Sequence, residues 1–156
     1  MHRFFWAGIM LGTFLAAPRS APTQSPAAPA VTLERATRVA AAAETEARRN
    51  NWNVVIAIVD DSGYLVLLRR MDNTQLGSVA VAQEKAKSAV LFRRPTKAFA
   101  EAVASGRTAV LSLPGAIPIE GGIPLLAGGR VVGAIGVSGV TAEQDGQIAQ
   151  AGVKAF

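Results

Sequence analysis

Between Thr32 and Arg49 the apolar positions Leu33, Ala36, Val39, Ala40, Ala43 and Ala47 recur at the three- and four-residue spacing of one helix face. Thr32 supplies an N-cap hydroxyl, and Arg48 and Arg49 fall in the last turn, where cations complement the helix dipole. The period then changes. Val54 to Val59 is a continuous, largely β-branched run, the signature of a strand covered on both faces. Asp60-Asp61-Ser62-Gly63 is a turn, and Tyr64 to Arg70 is the returning strand. Helical spacing resumes from Ser78 to Arg93, with Val79, Ala82, Ala86, Ala89, Val90 and Phe92 on the candidate buried face, and Pro95 stops it. Thr96 is placed to cap a short third helix through Ala104, closed by Gly106. A second hairpin follows: Ile123–Ala127, the turn Gly128-Gly129, then Arg130–Ser138. Thr141-Ala142-Glu143-Gln144 matches a capping box and opens a last helix running to the C-terminus.

Two hairpins with helices between and after them predict an α+β domain, an antiparallel sheet covered by helices. Its expected core positions are Val55, Ala57, Val59, Leu65, Leu67, Ile123, Leu125, Ile135 and Val137. Pro114 and Pro118 confine the segment Leu111–Glu120 to an edge strand or a pocket-lining loop, because proline cannot donate to a central ladder.

The start of the chain has a different character. Met1-His2-Arg3 precedes the uncharged apolar run Phe4–Ala17, which has the length of a signal-peptide core and is short for a bilayer span. Proline, alanine and serine then dominate up to Ala30. Residues 1–21 are accordingly expected to be a signal peptide or N-terminal anchor, residues 22–31 a Pro/Ala-rich linker, and residues 32–156 the folded domain. Export to the periplasm or beyond is the expected localisation, with membrane contact only if the N-terminal segment is uncleaved.

Composition narrows the chemistry. Cysteine is absent, which excludes disulfide scaffolds, thiolate metal sites and cysteine nucleophiles. The single histidine is His2, so the expected mature domain has no imidazole for a Ser-His-Asp triad or a zinc helix. Residues 31–156 carry 14 basic and 11 acidic side chains, a mild excess without basic–aromatic interleaving, and nucleic acid is not an expected partner.

Glu120-Gly121-Gly122 is the first candidate site: two glycine amides can receive an anion, and Glu120 can act as a base or acceptor. The same residues also serve as a plain entry into a strand. Arg93 and Arg94 relieve a helix C-terminus and are equally placed to hold a carboxylate. Glu84 and Lys87 are spaced to pair on one helix surface, which leaves Lys85 on another side.

Several stretches carry a resemblance. Ala57 through Gly63, Arg70-Met71-Asp72, Ala82 through Lys87, Phe92-Arg93-Arg94-Pro95-Thr96, Pro114 through Pro124 and Gly133 through Gly139 occur in the order seen in the GlcG/HbpS family of small haem-binding and haem-degrading proteins. Glu143-Gln144-Asp145 and Ala149 through Gly152 extend the likeness to the tail. The C-terminal domain of some corrinoid adenosyltransferases is similar too. The resemblance implies a profilin-like α/β/α fold with a five-stranded antiparallel sheet, assembled as a homo-oligomer, and implies that Lys85 faces the pocket. It also implies haem as cofactor. Haem-binding members are described with an axial histidine; here Met71 or Tyr64 is the donor type left for the iron. The expected function is therefore an exported oligomeric haem- or tetrapyrrole-binding protein. The alternative is an enzyme or accessory factor acting on a small organic acid or aromatic metabolite through Glu120, Lys85, Arg93 and Arg94.

Overall fold

The helix that begins after Thr32 forms as its pattern requires. A computed structural model describes residues 31–156; the leader expected at 1–21 and, but for Val31, the linker expected at 22–31 lie outside the described residues. Helix α1 spans Leu33–Arg49, and the Thr32 hydroxyl accepts the Arg35 amide at 3.3 Å. Strands β1 (Val55–Asp60) and β2 (Leu65–Arg70) form the first hairpin. Helices α2 (Ser78–Phe92) and α3 (Lys97–Ala104) follow, then a 3-10 turn over Thr108–Ser112. Strands β3 (Gly122–Ala127) and β4 (Arg130–Ser138) make the second hairpin, and α4 (Ala142–Val153) closes the fold behind a complete capping box. Gly128 and Gly129 both have positive φ, 56° and 75°, the geometry that twists a two-residue hairpin turn correctly and that side chains resist.

The sheet is antiparallel, with strand order β2-β1-β4-β3. It has four strands where the family resemblance implied five. Pro114 and Pro118 explain the difference, since the chain between the 3-10 turn and Gly121 runs as a loop and not as an added edge. Leu65 also departs from expectation. It is 48% exposed at the turn end of the edge strand β2, while Leu67 is only partly buried.

The two faces are filled by opposite means. On one, Val54, Ile56, Ile58, Ile135 and Val137 meet the alanine face of α1 and Ile148 of α4, the larger core. Each fully buried isoleucine contributes roughly 1.5–3 kcal/mol by leaving water. On the other face α2 lies alone, with Ala82, Ala86 and Ala89 against Val55, Ala57, Val59 and Ala134. A β-carbon on Gly136 would collide with the backbone of Ala82 and Ala86, so helix and sheet touch main chain to main chain there.

Helix α1 is tied to the edge strand by charge. The Glu44 carboxylate accepts from Arg48 at 2.6 Å and from Arg69 of β2 at 2.9 Å. The hydrogen bond from Arg48, helped by Arg69, holds Glu44 below its ordinary value, against a burial contribution that raises it. A lowered acid stabilises the fold above its unfolded value and loses that contribution as pH falls through the folded one. Glu44→Gln is therefore expected to cost about 0.5–1 kcal/mol at neutral pH. The gap to the parent should begin to narrow as the pH falls past the ordinary glutamate value of 4.5, and should close only below the lowered value of the folded state. Thermal unfolding of both proteins from pH 7 to pH 3 checks this; a gap that stays constant would contradict it.

Candidate functional site

The loop that enters β3 is built around a lysine no surface pair explains. Lys85 projects from the sheet-facing side of α2 and is 1% exposed. Its Nζ donates to the Val137 carbonyl of β4 at 3.0 Å and to Asp145 Oδ2 of α4 at 2.7 Å. Asp145 is itself buried, and its other oxygen accepts the Val140 amide at 3.2 Å. Burial pushes the Asp145 carboxyl above its ordinary value, and the Lys85 hydrogen bond and charge pull against that push. One ion pair thus joins a helix on each side of the sheet through its strand β4.

Gly121 and Gly122 lie directly over this pair. Gly121 has φ +130° and its carbonyl accepts the Val137 amide at 2.9 Å; a β-carbon there would crowd Val137 O and Lys85 Nζ. At Gly122 a β-carbon would strike the Lys85 carbonyl and the Thr96 methyl. Thr96 and Gly122 exchange two hydrogen bonds: the Thr96 amide donates to Gly122 O, and the Gly122 amide to Thr96 Oγ1, each at 3.0 Å. Thr96 was expected to cap α3 with its side chain. The structure commits that hydroxyl to Gly122 instead, and Thr96 carries helical backbone angles with no side-chain cap bond. The Gly122 amide is consequently occupied and is not an open anion receptor.

Glu120 sits on the outer side of the same loop. Its carboxylate pairs with Lys97 Nζ at 3.1 Å, and its side chain is 20% exposed. It rests against α4 at Gly146, where a β-carbon would fall on the carboxylate. Glycine inside a helix costs about 1 kcal/mol against alanine, and here the missing side chain is the space Glu120 fills. A cleft of about 330 Å³ opens beside this pair, walled by Pro95, Lys97, Glu120, Ile123, Gln147 and Gln150, with Gly122 and Gly146 also on its surface. It offers one carboxylate, one ammonium group held above its ordinary value by that carboxylate, two amides and an apolar wall.

The structure separates the other residues singled out in the sequence. Lys85 meets Gly121 and Gly122 but is sealed by Asp145 and does not line the cleft. Arg94 turns back: its Nε donates to Phe92 O at 3.2 Å and its guanidinium stands 5.7 Å from the Phe99 ring centre. Arg93 lines a different cavity. The expected convergence of Lys85, Arg93 and Arg94 with Glu120 on one acid is thus not what forms. Tyr64 is 74% exposed at the first turn, and Met71 is 8% exposed in the larger core beyond the far end of β2. The cleft holds none of the usual haem-iron donors, and no histidine or cysteine occurs in residues 31–156. Tyr64 is the donor of suitable type left accessible, whereas Met71 is committed to packing. Asp145 was not among the expected site residues. Its place in the first turn of α4 already satisfies the helix dipole, which hides the second role.

A four-stranded antiparallel sheet with one alanine-faced helix on one side, two on the other and a loop locked over a buried ion pair defines a helix-flanked α+β domain with a cleft beside that loop. The chain matches the family described as haem degrading protein HbpS-like over residues 31–154, and it belongs to that family. It is 45% identical to the protein GlcG of Escherichia coli K12 over 105 residues, 67% of this chain and 78% of GlcG. Among solved structures it is similar to the Klebsiella pneumoniae protein ORFY, at 34% identity and TM-score 0.78, covering 88% of this chain and 97% of that one. The Streptomyces reticuli HbpS double mutant matches at 34% identity and TM-score 0.76, with 90% and 97% covered. The PduOC:heme complex matches at 28% identity and TM-score 0.74, with 82% and 96% covered. Among the described residues no helix is long and apolar enough to cross a membrane.

Proposed function

We propose that this chain is an exported, self-associating haem- or tetrapyrrole-binding protein. The observation that carries the proposal is the likeness, across most of both chains, to a domain whose structure is a haem complex. The signal-like run at Phe4–Ala17 supports export. A single-chain cleft of about 330 Å³ lies at the lower end of the roughly 300–1,000 Å³ typical of small-molecule sites. A flat tetrapyrrole would be covered fully only between subunits, which supports self-association. Tyr64, exposed and phenolic, would supply the iron ligand; Lys97 lies at the opposite end of the sheet and would meet the propionates only of a haem held by a neighbouring subunit's Tyr64.

Haemin titrated into the purified domain, residues 31–156, is expected to give a saturable, shifted Soret band. Tyr64→Phe should move that band or weaken binding at least tenfold. Met71→Ala should leave the band in place and lower only the unfolding temperature. An unshifted, non-saturating absorbance in the parent protein would reject haem as the ligand.

A further inference from the structure

We propose a second binding site, for one compact oxyanion of a small molecule (a carboxylate or a phosphate), in the cavity between the two hairpin turns and the end of α2. This cavity of about 310 Å³ lies at the other end of β3 from the Gly122 cleft. Arg93 and Arg130 line it together with Asp61, Val90, Gly129 and Val131.

The two arginines are set apart from most others in the domain. Arg38, Arg48, Arg49 and Arg69 each pair with a glutamate. Arg35 and Arg94 stack over phenylalanine rings. Arg93 and Arg130 form no ion pair and no side-chain hydrogen bond among the described residues, yet they share a cavity. Arg93 occupies a left-handed conformation, φ 52° and ψ 39°, at the C-cap of α2, a position where glycine is the residue of least strain. Its neighbour Arg94 is folded back on Phe92 and Phe99, so relief of the helix end does not account for both. The carbonyl end of α2 alone would repel an anion; Arg93 covers that end with a cation. Asp61 contributes the one carboxylate, and its Oδ1 already accepts the Ser62 hydroxyl at 3.1 Å. Two guanidinium groups and one carboxylate leave the cavity one positive charge in excess, suited to a single oxyanion gripped by planar donor forks. Val90 and Val131 supply a short apolar wall for the carbon skeleton.

The test uses inorganic phosphate and malonate as probes on the domain of residues 31–156, with chloride at matched ionic strength as reference. Isothermal titration should show saturable millimolar binding of at least one probe. Arg93→Gln/Arg130→Gln should weaken it at least fivefold with the far-ultraviolet circular dichroism unchanged. Arg70→Gln/Arg107→Gln, which removes two unpaired arginines outside the cavity, should leave it unaltered. Tighter response to phosphate than to malonate assigns the site to phosphate-bearing molecules, and the reverse to carboxylic acids. Equal weakening by both double variants, or no binding of either probe beyond chloride, would overturn the proposal. Should the first double variant unfold, Arg130→Gln alone, on an exposed hairpin turn, carries the same expectation.

Discussion

Lys85→Ala is expected to lower the unfolding free energy of the domain by about 3–5 kcal/mol, the cost of leaving a buried carboxylate without its partner. Asp145 would keep the Val140 amide but lose its only cation, while the Val137 carbonyl would lose a charged donor. The deficit should shrink at acid pH. Burial already raises Asp145, and without Lys85 the carboxyl takes up its proton at still higher pH, removing the unpaired charge. Lys85→Met combined with Asp145→Leu removes both charges and should recover most of the loss, because apolar replacement of a complete buried pair is often neutral or better. Urea unfolding followed by circular dichroism at pH 7 and pH 4 measures all three effects. A loss below 1 kcal/mol for Lys85→Ala would show that the pair does not hold the helices to the sheet.

Gly136→Ala is expected to be nearly as damaging, by about 3 kcal/mol, the upper end of overpacking costs. One methyl group placed there meets main-chain atoms of Ala82 and Ala86, which no rotamer change can move aside. The whole of α2 would have to lift, and with it the Lys85 side chain and the Gly122 contact. Alanine at Gly106 or Gly115 meets no neighbouring atom within 4 Å and serves as the comparison for steric cost, since its penalty comes from backbone angle alone. If Gly136→Ala unfolds at the same denaturant concentration as those two, the close helix–sheet contact is wrong.

These contacts mark where sequence reading succeeds and where it stops. The alternation of periods along the chain is local, and among the described residues it located the four α-helices and both hairpins but not the 3-10 turn at Thr108–Ser112; the Thr141 capping box and the paired glycines of the second turn announce themselves within four residues. Lys85 and Asp145 are 60 residues apart, and only the fold brings them together. A signal did exist, for a lysine amid Ala82, Ala86 and Ala89 stands on the face that should have been apolar. Thr96 misled for a different reason. Its hydroxyl can serve its own helix or Gly122, and no local pattern decides between a cap and a distant amide. The prolines at 114 and 118 correctly argued against an inner strand, and it was the family likeness that implied a fifth one. Tyr64 and Met71 looked interchangeable as donors, until β2 between them placed one at the surface and the other in the core.

The double hydrogen bond between Thr96 and Gly122 has a consequence for how this domain can change. It pins both ends of the segment from Lys97 to Gly121, and Ser88 Oγ, accepting the Ile117 amide at 3.0 Å, adds a third anchor in the C-terminal half of α2. None of the five residues of the 3-10 turn within that segment is buried. Between Ala104 and Gly115 no residue is buried, so that outer stretch is a detachable cassette: its length and side chains can be exchanged without disturbing the strands beneath, while Phe99, Ala102 and Gly121 on either side stay packed.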